Sequence, residues 1–195
     1  MNVQIKRARG TEIGSWLDAL AELRIRIFRD WPYLYDGSLA YECSYLTGYA
    51  NSPNSMVVLA LSGNEVIGCS TGLPMTDADL AFQQPFLKAG YDMRRVFYFG
   101  ESVLDHAWRG HGIGHRFFDE RESHARSLGF DQTTFCAVQR PDSHPLRPRN
   151  YRPLDQFWHN RGYRPIQSLQ THFSWKDVDQ DHETSKTMQF WIREA

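Results

Sequence analysis

Glu101-Ser-Val-Leu-Asp-His-Ala-Trp-Arg109-Gly110-His111-Gly112-Ile113-Gly114 is the stretch that decides how this chain is read. It ends an apolar run, Val96 to Leu104, with the composition of a strand. It leads into Ile113, Phe117, Phe118, Ala125 and Leu128, which recur at helical spacing up to Gly129. Glycines between a strand and a helix let the backbone turn tightly and let a ligand approach its amides. The free N–H groups of the helix's first turn then point at one spot, with the positive end of the helix dipole behind them. Such a turn binds an anion without lysine, and a pyrophosphate suits it. The pattern GxxxxGK[ST] of nucleotide triphosphatases is absent. The dinucleotide pattern GxGxxG fails because His115 stands where its last glycine belongs.

Outward from this turn, the chain reads as alternating short elements. Val3 and Ile5 start a strand, and Trp16 to Phe28 follow a helical period, with Thr11 as its cap and Pro32 as its stop. A second helix is expected over Leu39 to Tyr49, with Tyr41, Tyr45 and Tyr49 on one face. Met56 to Leu61, Gly63-Asn64 and Glu65 to Leu73 form a hairpin signature. Residues 74 to 95 give no clear signal. After the helix come a strand at Thr133 to Val138, a proline- and arginine-rich loop from Arg140 to Pro153 and a short helix from Leu154 to Asn160. Two closing strands follow, Leu169 to Trp175 and Met188 to Ile192. The expected order is β-α-α-β-β-β-α-β-α-β-β, an α/β (α+β) domain spanning residues 1–195, whose central β-α-β unit makes two strands parallel.

Composition sets limits on function. The 195 residues include 41% hydrophobic and 23% charged, ordinary globular values, and the net charge of −1 provides no field to recruit nucleic acid or an anionic membrane. Three isolated cysteines, Cys43, Cys69 and Cys136, do not make a disulfide framework. The first residues lack an apolar signal region, and no apolar run has transmembrane length. The expectation is a cytoplasmic protein without a membrane or nucleic-acid partner.

The pattern Arg109-x-x-Gly112-x-Gly114 after an apolar strand resembles the acyl-CoA pyrophosphate loop of the GNAT superfamily of N-acetyltransferases. Glu101 to Arg109 resembles that family's fourth strand and loop entry, Ile113 to Phe130 its third helix, and Arg161-Gly162-Tyr163 its step into the sixth strand. A narrower bacterial group shares the PYLY, YFGESVL and RPxxHPxRPxxYRPLDxFW segments, which stand here at residues 32–35, 98–104 and 140–158. The resemblance implies a central mixed, mostly antiparallel splayed sheet flanked by helices. It implies direct transfer of an acetyl group from acetyl-CoA to a primary amine of a small molecule, in a ternary complex. Val103, Leu104, Arg109, Gly110, His111, Gly112, Ile113 and Gly114 would hold the cosubstrate. The Leu104 N–H would meet the developing oxyanion, and Glu101 would serve as base, against the competing role of a structural partner for an arginine. The family's usual tyrosine acid is replaced by Trp158, whose indole does not supply a proton. Either Tyr151 takes the acid role, or the thiolate leaves unprotonated. A non-catalytic acyl-CoA-binding regulator is the second reading, and Trp158 is its chief argument.

The remaining constellations divide between site and scaffold. Arg140, Arg147, Arg149 and Arg152 crowd one loop with His144 and four prolines. Arginine forks suit carboxylates, so Arg149 and Arg152 are candidates to bind a carboxylate on the acceptor, against a solvated surface loop. In the family's fold the connection between the first two helices covers the acceptor. This makes Tyr33, Tyr35 and Tyr41 acceptor candidates, against a role in the core. His111 and His115 have helical metal spacing, but no HExxH accompanies them, and no metal is expected. Homodimerisation is left open.

Overall fold

The computed structural model describes residues 2–194. Seven strands form one sheet in the order β1-β2-β3-β4-β5-β7-β6. They are β1 (Gln4–Ala8), β2 (Met56–Ser62), β3 (Glu65–Pro74), β4 (Val96–Leu104), β5 (Gln132–Val138), β6 (Arg164–Lys176) and β7 (Glu183–Glu194). Every neighbouring pair is antiparallel except β4 and β5. That parallel pair is joined through helix α4 (Ile113–Ser127), as the β-α-β expectation requires.

The sheet is covered on both faces, which is why β2 is apolar from Met56 to Leu61 rather than alternating. Val57 and Leu59 face α1 (Leu17–Phe28) and α2 (Leu39–Asn51), in one cluster with Leu20, Leu23 and Leu46. Val58 and Ala60 face α4, in a cluster with Ile113 and Phe117. The short helix α5 (Asp155–Asn160) adds Phe157 and Trp158 to an aromatic core of Phe118, Phe135, Tyr163 and Trp191.

The structure supplies one element that gave no signal in the sequence and corrects two expectations. Residues 74–95 contain a helix, α3 (Leu80–Lys88), capped by Asp79. Pro85 inside it hid the pattern, because proline lacks the N–H that would reach the Ala81 carbonyl. The Thr171 hydroxyl on β6 bonds that carbonyl instead, at 2.7 Å. Thr11 does not cap α1. Residues 10–16 form a 3-10 segment whose Glu12 side chain accepts the Arg9 N–H at 3.1 Å, and α1 begins only at Leu17. The two closing strands are longer than expected: β6 starts at Arg164, before an irregularity between Pro165 and Gln170, and β7 starts at Glu183, its polar first half pairing with His172 to Lys176.

The feature that positions the site is the parting of β4 from β5. The two pair only through Val96, Phe97 and Tyr98 against Gln132, Thr133 and Thr134. Beyond that point β4 continues with β3 to Leu104, and β5 continues with β7 to Val138. Ser102 is exposed in the middle of the sheet as a result.

Candidate functional site

The edge of β4 that faces the split is shaped by a bulge. Gly72 pairs with Phe99 and Ser70 with Ser102, so two β4 residues, Gly100 and Glu101, oppose Thr71 alone. One extra residue reverses which face each later side chain takes. Before the bulge, the odd-numbered Phe97 and Phe99 pack on the α4 side. After it, the odd-numbered Glu101 turns to Arg24 of α1, and Val103 joins that same core. Gly100 is required here. A methyl carbon built on it overlaps the Tyr49 hydroxyl and lies 2.6 Å from Thr71 Oγ1.

Backbone direction follows from one hydrogen bond. Asp105 N–H donates to Ile67 O at 2.9 Å, so the amide of Val103, two residues back, faces β3 as well. Glu101 N–H likewise donates to Thr71 Oγ1 at 3.2 Å. By alternation the N–H groups of Ser102 and Leu104 point into the split. This corrects one expectation: the Val103 amide is turned to β3 and its side chain is buried, so Ser102, not Val103, joins Leu104 on the open edge.

The glycine turn sits at the mouth of the split. Gly110 and Gly112 adopt φ of 81° and 78°, the left-handed region where glycine alone is unstrained. Gly112 is the N-cap of α4, so the first-turn amides of Ile113, Gly114 and His115 are free of intrahelical partners. The Arg109 side chain folds back, donating to the Leu104 carbonyl at 3.1 Å, which ties the turn to the end of β4. Burial lowers the Arg109 pKa against the pull of Asp30 and Asp105. His111 Nδ1 lies 3.3 Å from Trp108 O, and His115 Nδ1 lies 3.3 Å from Arg161, so the two rings serve separate neighbours.

Glu101 lies in a buried charge cluster. Its carboxylate is 2.6 Å from Arg24 and accepts a hydrogen bond from the Tyr45 hydroxyl at 3.2 Å. Arg24 also donates to Glu42, a fully buried carboxylate, so one guanidinium serves two acids. Burial opposes the Arg24 charge, but Glu101, Tyr45 and Glu42 together hold its pKa well above the usual value. Burial and then Glu101 push the Tyr45 hydroxyl far up, so it stays a donor. Tyr45 is 3.0 Å from the Tyr49 hydroxyl, which reaches the bulge.

On the far side of β4, Arg121 of α4 is 1% exposed. Its hydrogen-bond acceptors are Phe117 O, Thr71 O and Glu101 O, each at 3.1 Å, and Ser102 Oγ at 2.8 Å. None is a carboxylate. The guanidinium lies 4.2 Å from the Phe99 ring centre. Burial pulls its pKa down to about 10, still protonated at neutral pH. Sequence reasoning missed Arg24, Glu42 and Arg121. A signal existed: Arg24 interrupts the Leu20–Leu23–Ile27 stripe, and Arg121 the Phe117–Phe118–Ala125 stripe, and a charge inside an apolar stripe marks a buried partner.

Two loops meet beyond β5. Arg140 grips the Pro32 and Tyr33 carbonyls at 2.8 and 2.6 Å, and holds Asp177 through two bonds of 2.6 and 2.9 Å. Trp31 packs on His144 and Tyr151, with ring centres 5.0 and 5.9 Å apart. The tyrosine segment and the arginine loop are therefore one wall. Tyr33 is wedged between Phe28 and Trp175. Burial raises the Tyr33 pKa, and Cys136 and Glu101 add to the rise. Tyr35 packs edge-on to the exposed Tyr41. Tyr151 is half-buried under Arg147, and burial raises its pKa. Arg147 pairs with Asp142, whereas Arg149 and Arg152 are exposed. Trp158 faces the aromatic core, 5.0 Å from both Phe135 and Trp191. A shallow pocket of about 380 Å³ at Gly90, Tyr91, Asp92 and Arg95 lies at the other end of β4, away from the glycine turn.

The open edge of β4 and the glycine-capped start of α4 thus place two sets of free backbone N–H groups side by side at the split. The chain belongs to the acetyltransferase (GNAT) family, whose model matches residues 17–147. Solved structures agree in fold. A GNAT-family acetyltransferase from Staphylococcus aureus Mu50 superposes with a TM-score of 0.60 at 15% identity, covering 99% of each chain. One from Streptococcus pneumoniae gives 0.61 at 12% identity, covering 100% of each. An acetyltransferase from Streptococcus agalactiae 2603 gives 0.62 at 14% identity, covering 99% of this chain and 98% of the other. No curated protein matches the chain. The family uses acetyl-CoA as cosubstrate. Among the described residues, no helix is long and apolar enough to cross a membrane, and no cluster of three or more metal-ligating side chains occurs.

Proposed function

We propose that the protein is an N-acetyltransferase that moves the acetyl group of acetyl-CoA directly to a primary amine of a small molecule. The observation that carries this reading is the open edge of β4: exposed Ser102 and half-buried Leu104 turn their N–H groups into the split, beside the left-handed glycine turn of α4. The first-turn amides of α4 hold the pyrophosphate, and the Ser102 and Leu104 amides hold the arm and the acyl carbonyl. Acetyl-CoA supplies the activated acyl group.

Glu101 removes the acceptor's proton, because an ammonium has no lone pair with which to attack. Its ion pair with Arg24 does not cancel this role by charge count. One guanidinium faces two carboxylates, which leaves one negative charge in the cluster for the incoming ammonium to meet. Tyr151 protonates the departing sulfur. Tyr33, Tyr35 and Tyr41 form the acceptor wall, and Arg149 and Arg152 bind a carboxylate on the acceptor.

The second reading, a non-catalytic acyl-CoA-binding regulator, draws on Trp158, which is packed into the core at the position where the resemblance implies a tyrosine acid. The two are separated by thiol release from acetyl-CoA across a panel of amines, with thermal protection by CoA measured alongside. Release with at least one amine supports the enzyme. Protection without release supports the regulator, and neither effect refutes both.

A further inference from the structure

The fully buried Arg121 has no part in the reaction as described above, yet its bonds converge on the bulge of β4. Burying a guanidinium without a carboxylate partner is costly, so carbonyl dipoles must supply the compensation. Two of these carbonyls, Thr71 O and Glu101 O, belong to the bulge, where the regular ladder is broken. The Glu101 carbonyl is one end of a peptide group, and its other end is the Ser102 N–H that faces the split. A cation bonded to the oxygen of a peptide draws electron density from its nitrogen and strengthens its N–H as a donor. Arg121 also holds the Ser102 hydroxyl at 2.8 Å, which fixes the peptide plane from both sides. Phe99 and Phe118 cover the guanidinium faces and keep water from screening it.

We propose that Arg121 is a positioning residue for acyl transfer: through the Glu101–Ser102 peptide it aims and strengthens the Ser102 N–H, which shares the thioester carbonyl with the Leu104 N–H. This rests on the acetyl-CoA reading, and the test separates the two. Acetyl-CoA carrying ¹³C at the acetyl carbonyl is bound to the whole protein, and the carbonyl stretch is read by difference infrared spectroscopy. Wild type shifts the band to lower frequency than in solution. Polarisation by one neighbouring bond strengthens the next by roughly 10–30%, and the freed peptide also loses its aim, so Arg121→Met loses at least about that fraction of the shift. Its acetyl-CoA Kd stays within about threefold, because the pyrophosphate contacts lie elsewhere. Arg121→Lys keeps the charge, but one ammonium cannot span both carbonyls and the hydroxyl, so it recovers only part of the shift.

A full-sized shift in either folded variant overturns the proposal. The lysine variant decides alone if the methionine variant does not fold. A wild-type band that binds without shifting also overturns it while leaving the acetyl-CoA reading intact. A wild-type protein that does not bind acetyl-CoA refutes that reading instead.

Discussion

Gly100→Ala tests whether the bulge is built around the Tyr49 hydroxyl. The new methyl carbon overlaps that oxygen and comes within 2.6 Å of Thr71 Oγ1 and 3.0 Å of Tyr49 Cζ. Tyr49 is only 3% exposed and its hydroxyl is held by Tyr45, so the ring cannot swing clear. Overpacking of this kind costs about 1–3 kcal/mol. At about 2–4 °C per kcal/mol for a chain of this length, the melting temperature falls by roughly 2–12 °C. Tyr49→Phe removes the overlapped oxygen at a cost of about 1 kcal/mol for its hydrogen bonds. Measured by urea denaturation, the double variant is less destabilised than the sum of the singles by about 1 kcal/mol or more, because part of the clash has gone. Additivity within about 0.5 kcal/mol would show that the hydroxyl does not set the requirement for glycine.

Gly112→Asp puts a side chain and a negative charge at the cap of α4. It weakens CoA binding at least about tenfold, about 1.4 kcal/mol, by calorimetry, whereas Gly112→Ala pays only the backbone strain of about 1–2 kcal/mol in stability; CoA affinity unchanged in folded Gly112→Asp removes the pyrophosphate from this turn. Glu101→Gln keeps CoA affinity and lowers turnover by roughly a hundredfold, and wild-type turnover would leave Glu101 a purely structural partner of Arg24. Arg149→Ala or Arg152→Ala raises the KM of a carboxylate-bearing amine and spares CoA binding, an effect that shrinks when the carboxylate is amidated; indifference to both changes returns the loop to solvent. His124, bonded to Asn54 O at 2.9 Å, has its pKa pulled below 6.5 chiefly by burial. The unfolded chain therefore binds the extra proton first, so this contribution to stability is complete above pH 6.5 and fades as pH falls through the lower folded value. His124→Gln flattens the melting temperature against pH in that acidic window, and an unchanged slope shows that another group is responsible.

The architecture was legible because its signals are local. The 96–104 strand, the glycine turn and the Phe117–Phe118–Ala125 stripe each announce themselves within a few residues, and the turn fixes where α4 begins. Helix α3 was not legible, since the hydroxyl that excuses Pro85 comes from Thr171, 86 residues away. The bulge was equally hidden. Nothing near Gly100 reveals that Tyr49 will occupy its side-chain space, and without the bulge the direction of Glu101 and of the Ser102 amide cannot be assigned. Val103 was misplaced for that reason. The arginines of the loop could be counted but not sorted: only the fold shows that Arg140 is consumed by Asp177 and two carbonyls while Arg149 and Arg152 stay exposed.

That sorting has a bearing on how such a protein diversifies. Arg140 rivets the base of the loop to the tyrosine segment and to Asp177, and Lys186 adds a second cation 3.2 Å from the same carboxylate. The tip, from Arg147 to Arg152, hangs from this rivet and is tethered by Asp142, the His144 carbonyl and the Trp31–Tyr151 contact. Substitutions at the tip can therefore be sampled at little cost to folding, whereas one at Arg140 dislodges both loops together. A lineage with this arrangement can edit a few exposed positions without disturbing the fold, and a library randomised at 149 and 152 with Arg140 fixed is the laboratory version of that drift.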